Sequence, residues 1–164
     1  MTKPKVLVPF ERHGHDHGRC VDSALAAAEA LCAEQGLRLT PVRRRVLELV
    51  WKGHQPVKAY EILERLQERK PRTAPPTVYR ALEFLLEAGL VVHRVESLNA
   101  YVGCGDPATP HVGQFLICRV CHAVAEINDP GVAKMLGQDA RRLGFHSEHP
   151  TVEVSGLCPH CEGG

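Results

Sequence analysis

The chain has 164 residues, enough for one domain of ordinary size or two small ones. Lys+Arg is 20 and Asp+Glu is 19, which excludes a strongly polycationic or polyanionic protein and leaves only the distribution of charge informative. Residues 1–102 carry 16 basic and 12 acidic side chains and residues 103–164 carry 4 and 7, so a mildly basic front precedes an acidic back, a hint of a polyanion-binding half.

No stretch approaches the roughly 18 apolar residues of a membrane span. Val6-Leu7-Val8 is too short for the apolar core of a secretory leader. A soluble, cytoplasmic protein is expected. Its seven cysteines then read as reduced thiols and metal ligands, not as a disulfide framework.

Residues 1–18 read as a flexible tail in which His13, His15 and His17 alternate; a loose metal site and a merely solvated terminus are both open there. A first helix is expected over Val21–Glu34, with Cys32 on its apolar face as a small buried hydrophobe. Thr40-Pro41 opens a second, Thr as N-cap and Pro at the first position. A third runs from about Lys58 to Lys70 and is stopped by Pro71. Pro75-Pro76 opens a fourth that ends at Gly89. Strand-like Leu90–Glu96 and Ala100–Cys104 flank Ser97-Leu98-Asn99. Helices with brief connections followed by a hairpin spell a helix-turn-helix with a β-hairpin wing, against a generic small bundle.

The fourth helix favours the first reading. At 100° per residue Val78, Leu82, Leu85 and Leu86 gather on one side, while Arg80 points nearly opposite, flanked by Thr77 and Tyr79. An exposed Arg near a helix N-terminus suits contact with guanine O6 and N7, and the N-terminus favours phosphate. Tyr60 and Tyr79 are candidates for sugar, phosphate or thymine methyls, and Arg38 and Arg43 for the DNA backbone.

Phe115–Cys118 and Ala123–Ile127 read as strands. Asp129-Pro130 starts a helix to about Leu143, and Thr151–Val154 is a third strand. Two CxxC pairs, Cys118/Cys121 and Cys158/Cys161, frame this α+β segment. Two tight turns carrying two thiolates each make an S4 cage that suits zinc, and four thiolates leave no open position, so the metal is expected to hold structure. So small a segment is expected to lean on zinc and on self-association.

Gly36-Leu37-Arg38-Leu39-Thr40, Thr77-Val78-Tyr79-Arg80-Ala81-Leu82 and the paired CxxC elements resemble the ferric-uptake-regulator family of bacterial metal-sensing repressors, from about residue 20 onward. The resemblance implies an α+β architecture: an N-terminal winged helix-turn-helix DNA-binding domain (19–104), a hinge (105–112) and a small C-terminal α/β dimerisation domain (113–164).

Within the family the chain looks most like the zinc-uptake branch. The resemblance implies a regulatory zinc site of His93, Cys104, His111 and Glu126, hence two Zn2+ per subunit. It also implies a homodimer on pseudo-palindromic operator DNA, with no membrane and no small organic substrate. Iron sensors carry a His-rich HHDH-like stretch before the first CxxC; here that place reads His111-Val112-Gly113-Gln114-Phe115, which weighs against iron. Two imidazoles, one thiolate and one carboxylate suit tetrahedral zinc, and the thiolate disfavours manganese. Taken singly, each has a duller explanation: a half-buried strand residue, a packed thiol, a loop residue, a solvated charge.

Iron, manganese, nickel or peroxide sensing on the same scaffold is the first alternative. A zinc enzyme is the second, but no HExxH occurs and the deaminase signature fails. A thiol redox switch is the third. His149 is the best of the remaining histidines for a further metal, and is assigned none.

Overall fold

Among the described residues, four helices lie between the first strand and the second, and strands predominate after them. The computed structural model describes residues 4–10, 17–53, 55–90, 92–106, 109–148 and 150–163. His13, His15 and His149 lie outside the described residues, as does the side chain of His17. The chain divides into two units. One spans Glu11–Ala108, and the other joins Met1–Phe10 to Thr109–Gly164.

The first unit is helical and ends in a hairpin. Helix α1 (His17–Gln35) starts four residues earlier than its apolar periodicity suggests; Gly18 falls in the first turn, where it is tolerated, and no proline stops Arg19 and Cys20 from joining the helix. Helix α2 (Pro41–Trp51) is capped as its residue types dictate, Thr40 accepting from the Arg43 amide with Pro at the start. Helices α3 (Ala59–Gln67) and α4 (Pro75–Glu87) follow. Helix α3 ends before Lys70, because Gln67 and Thr73 close the turn by donating to the Thr73 and Lys70 carbonyls.

Their inward faces meet in one core that includes Leu25, Cys32, Val46, Leu49, Ile62, Val78, Leu82 and Leu85. Cys32 is buried there as expected, and burial pushes its thiol up against the opposing pull of Arg43. Strands β2 (Val92–Val95) and β3 (Ala100–Gly103) pair antiparallel, joined through a 3-10 turn whose left-handed exit is taken by Asn99. This is the wing. Gly103 passes so close to the Trp51 ring that no side chain fits between them.

The second unit is a four-stranded sheet in the order β1-β5-β4-β6, with β1 Lys5–Val8, β4 Gly113–Cys118, β5 Val124–Asn128 and β6 Thr151–Gly156. The expectation of a flexible tail over 1–18 is therefore corrected at Lys5–Val8. This short β-prone run pairs antiparallel with β5 and supplies the backbone partners that an outer strand lacks.

Helix α5 (Pro130–Arg142) is capped by Asp129. Its start is fixed by buried Gln114, which bonds both the Asp129 amide and the Asp129 carbonyl. Helix α5 buries no residue of its own. Met135, Leu136, Leu143, Phe145 and, on β6, Val154 are exposed. A cleft of about 570 Å³ runs along α5 between Val112, Ala133, Leu136, Ala140 and Phe145. No described helix is long and apolar enough to cross a membrane.

Candidate metal centres and nucleic-acid interface

Strands β4 and β6 run parallel, in register from Gly113 opposite Thr151 to Cys118 opposite Gly156. Both CxxC turns therefore leave the sheet at one end. The ladder continues past the strands through an Arg119 amide bond to the Gly156 carbonyl. In the first turn the His122 amide bonds back to the Cys118 carbonyl, and His122 takes a left-handed conformation at φ 59°. In the second, Cys158 precedes the short helix α6 (Pro159–Glu162) and its carbonyl accepts from the Cys161 and Glu162 amides.

The sulfurs of Cys118, Cys121, Cys158 and Cys161 lie within 4.8 Å of one another, and Cys121 Sγ is 3.7 Å from Cys158 Sγ. A disulfide needs about 2.05 Å. A tetrahedral zinc with Zn–S bonds near 2.3 Å needs sulfurs about 3.8 Å apart. The four thiols thus fit a metal and not a bridge.

Their charges agree. Amides of Cys121 and Cys158, with that of Val120, are aimed at the Cys118 sulfur and hold its pKa down at about 5 in spite of burial. Cys161 is pushed up to about 12 by hydrogen bonding with the Cys158 and Cys121 thiols and by burial. At Cys121 the Ala123 amide pulls down, but burial and the Cys118 and Cys158 thiols outweigh it and the net shift is upward. One thiolate sits comfortably alone; four require a cation.

The remaining predicted ligands fall two to each unit. On the wing, His93 stands opposite Val102, so the two share a face, and alternation returns the chain to that face at Cys104. Cys104 is buried. In the sheet unit, Glu126 on β5 is 2% exposed. His111 Nε2 lies 2.8 Å from Glu126 Oε1, and His111 Nδ1 lies 2.7 Å from the Thr109 carbonyl oxygen. A carbonyl oxygen only accepts, so Nδ1 carries a proton. That leaves Nε2 facing a carboxylate oxygen. Either one more proton lies between them, on the ring or on the carboxyl group, or the Nε2 lone pair and the carboxylate share a cation. A ring held by Nδ1–H on a backbone carbonyl with Nε2 turned to a metal is a recurrent arrangement of ligating histidines.

The predicted DNA contacts gather in the helical unit. Val78, Ala81, Leu82 and Leu85 fix the inner face of α4. Tyr79 is 54% exposed and Arg80 is exposed, with Thr77 half-buried. Tyr60 on α3 is 57% exposed, and Arg38 is exposed. Arg43 has engagements that the sequence does not reveal. Its guanidinium lies 3.4 Å above the Phe84 ring centroid and donates to the Arg38 carbonyl at 2.8 Å. It holds α2 to α4 as well as bringing charge to the surface. Gln114 and β1 are the structural contributors to the sheet unit that sequence reasoning missed. The only available signals were a polar residue inside an apolar strand and three consecutive apolar residues.

The sequence pattern of the ferric uptake regulator family matches residues 34–155. The zinc uptake regulation protein of Escherichia coli (strain K12) is 45% identical over 139 residues, 84% of this chain and 80% of that protein. A zinc uptake regulator solved in complex with zinc and DNA matches with a TM-score of 0.82 at 42% identity, over 87% of this chain and 95% of that one. Holo XcZur matches at 0.80 and 46% identity, over 87% and 99%. A pattern matched over most of the chain, together with a relative this similar, establishes that the chain belongs to the ferric uptake regulator family.

Proposed function

We infer that the protein is a zinc-responsive transcriptional repressor, not an enzyme. It binds operator DNA as a homodimer when a regulatory zinc site is filled, and so controls zinc-uptake genes in the bacterial cytoplasm. Each subunit holds two Zn2+: a structural one on Cys118, Cys121, Cys158 and Cys161, and a regulatory one on His93, Cys104, His111 and Glu126. The similarity to zinc uptake regulators supports the reading.

The observation that carries it is the pair of half-sites. One is a thiol and an imidazole on one face of the wing. The other is an imidazole whose protonated Nδ1 leaves Nε2 against a buried carboxylate. Zinc supplies the charge that this donor set lacks. All four donors serve it together only when wing and sheet unit adopt one arrangement, and a ligand moves an equilibrium by its differential affinity for the two states. By linkage, operator DNA raises zinc affinity in turn.

Arg80, Thr77 and Tyr79 on the N-terminal part of α4 meet base edges, and Tyr60, Arg38 and Arg43 meet the backbone. The apolar residues left exposed on α5 and β6 are covered by the second subunit, so two recognition helices read a pseudo-palindrome.

Operator binding measured across buffered free zinc tests the reading. Cys104→Ser should abolish the zinc dependence and leave the dimer intact; an unchanged zinc response rejects the assignment. Titration of the regulatory site with iron, manganese and zinc separates zinc sensing from other sensing on this scaffold.

A further inference from the structure

Strand β1 lies outside the family-matched segment 34–155, yet it adds the fourth strand of the sheet. In the order β1-β5-β4-β6 it is β1 that keeps β5 from being an edge. Its register is specific. Lys5 faces Asn128, Val6 faces Ile127, and Val8 faces Glu126, with Leu7 as one extra residue between the last two pairs. This is a bulge, and it sits beside the one buried carboxylate of the sheet unit's described residues. Bulges kink a strand locally and re-aim the side chains around them. On its other side Glu126 faces Phe115 of β4. The Glu126 backbone is therefore held from both flanks, and its carboxylate meets His111 Nε2 at 2.8 Å.

We propose that β1 is a positioning element for the regulatory metal: by pairing at Glu126 it fixes the carboxylate, so that β5 need not be ordered when zinc binds. The proposal rests on the regulatory assignment made above. A strand paired on one side only opens locally at low cost, and a ligand carried on it must be ordered at the moment of binding. Residues that orient metal ligands without touching the metal typically change affinity by about 10–100-fold when lost.

The test uses full-length protein. Val8→Pro removes the backbone N–H opposite Glu126, and Val8→Ile keeps both the amide and the branched side chain. Each variant is titrated with Zn2+ against a chelating competitor and with Co2+, whose absorption reports the one-thiolate ligand set separately from the four-thiolate one. Val8→Pro should weaken the regulatory site by about 10–100-fold and alter its cobalt band. Tightly held zinc and the dimer should be unchanged, and Val8→Ile should match the parent.

An unchanged affinity and cobalt band in Val8→Pro, with β5 amides newly open to hydrogen exchange, overturns the proposal. So does loss of the four-cysteine zinc together with the regulatory one, which makes β1 merely structural. Val6→Pro, across the bulge, repeats the measurement should Val8→Pro fail to fold. Cys104→Ser in the same titration separates the two claims: undiminished affinity there rejects the regulatory site itself, and the strand's role with it.

Discussion

Gly103 joins the wing to helix α2, and replacing it with alanine has a cost that can be worked out. A Cβ at that position falls 2.3, 2.5 and 2.7 Å from three indole carbons of Trp51. The nearest lies about 1 Å inside ordinary van der Waals contact, and a planar ring offers no flexible end to bend away. Either the indole swings off the wing or β3 lifts from α2. Overpacking of this kind costs about 1–3 kcal/mol. With a urea m-value of about 2 kcal/mol/M, the unfolding midpoint of the helical unit should fall by about 1 M.

Trp51 is the chain's single tryptophan, so its fluorescence reads both the displaced ring and the unfolding curve. Because Cys104 follows directly, the regulatory zinc affinity should fall as well. A variant with the parental midpoint and an unshifted emission spectrum would refute the argument.

Four further outcomes are expected. Cys158→Ser removes one thiolate of the four and should unfold the sheet unit and abolish the dimer, read by analytical ultracentrifugation; a stable dimer contradicts a structural zinc there. Arg80→Ala should cost about 1–3 kcal/mol of operator binding and blur base preference. Arg43→Ala should instead weaken all sequences, flatten the salt slope and lower the thermal midpoint, since its guanidinium also holds Phe84; binding titrations over salt and a melting curve distinguish the two. The four-cysteine site should bind zinc more tightly as pH rises through neutrality. Cys121 and Cys161 are shifted upward and keep their protons at pH 7, whereas Cys118, at about 5, has already lost its own. Loading therefore releases protons from Cys121 and Cys161, each steepening the dependence by about tenfold per pH unit. A pH-independent affinity in a chelator competition contradicts this.

The helices were readable wherever the residue types act locally. Thr40 caps α2, prolines open α2, α4 and α5, and the buried face of α4 is the one its periodicity marks. The four-cysteine cage was readable because spacing within each CxxC fixes two ligands on one turn, and its sulfurs do converge. What escaped was non-local. Lys5–Val8 is too short to announce a strand, and its partner β5 stands near the other end of the chain. Gln114 gives no sign in sequence that its amide pins the Asp129 backbone. Arg43 looks like one surface charge among three in a row until Phe84 is found beneath it. Each of these depends on which distant segment packs alongside, and periodicity does not encode that.

Strand β1 also sets an order of events at the ribosome. Its partners begin only at Glu126, so Lys5–Val8 must wait unpaired until β5 emerges, after every helix of the reading unit has been synthesised. Closing so long a loop is slow and comes late. The nascent reader is then complete before the sheet is.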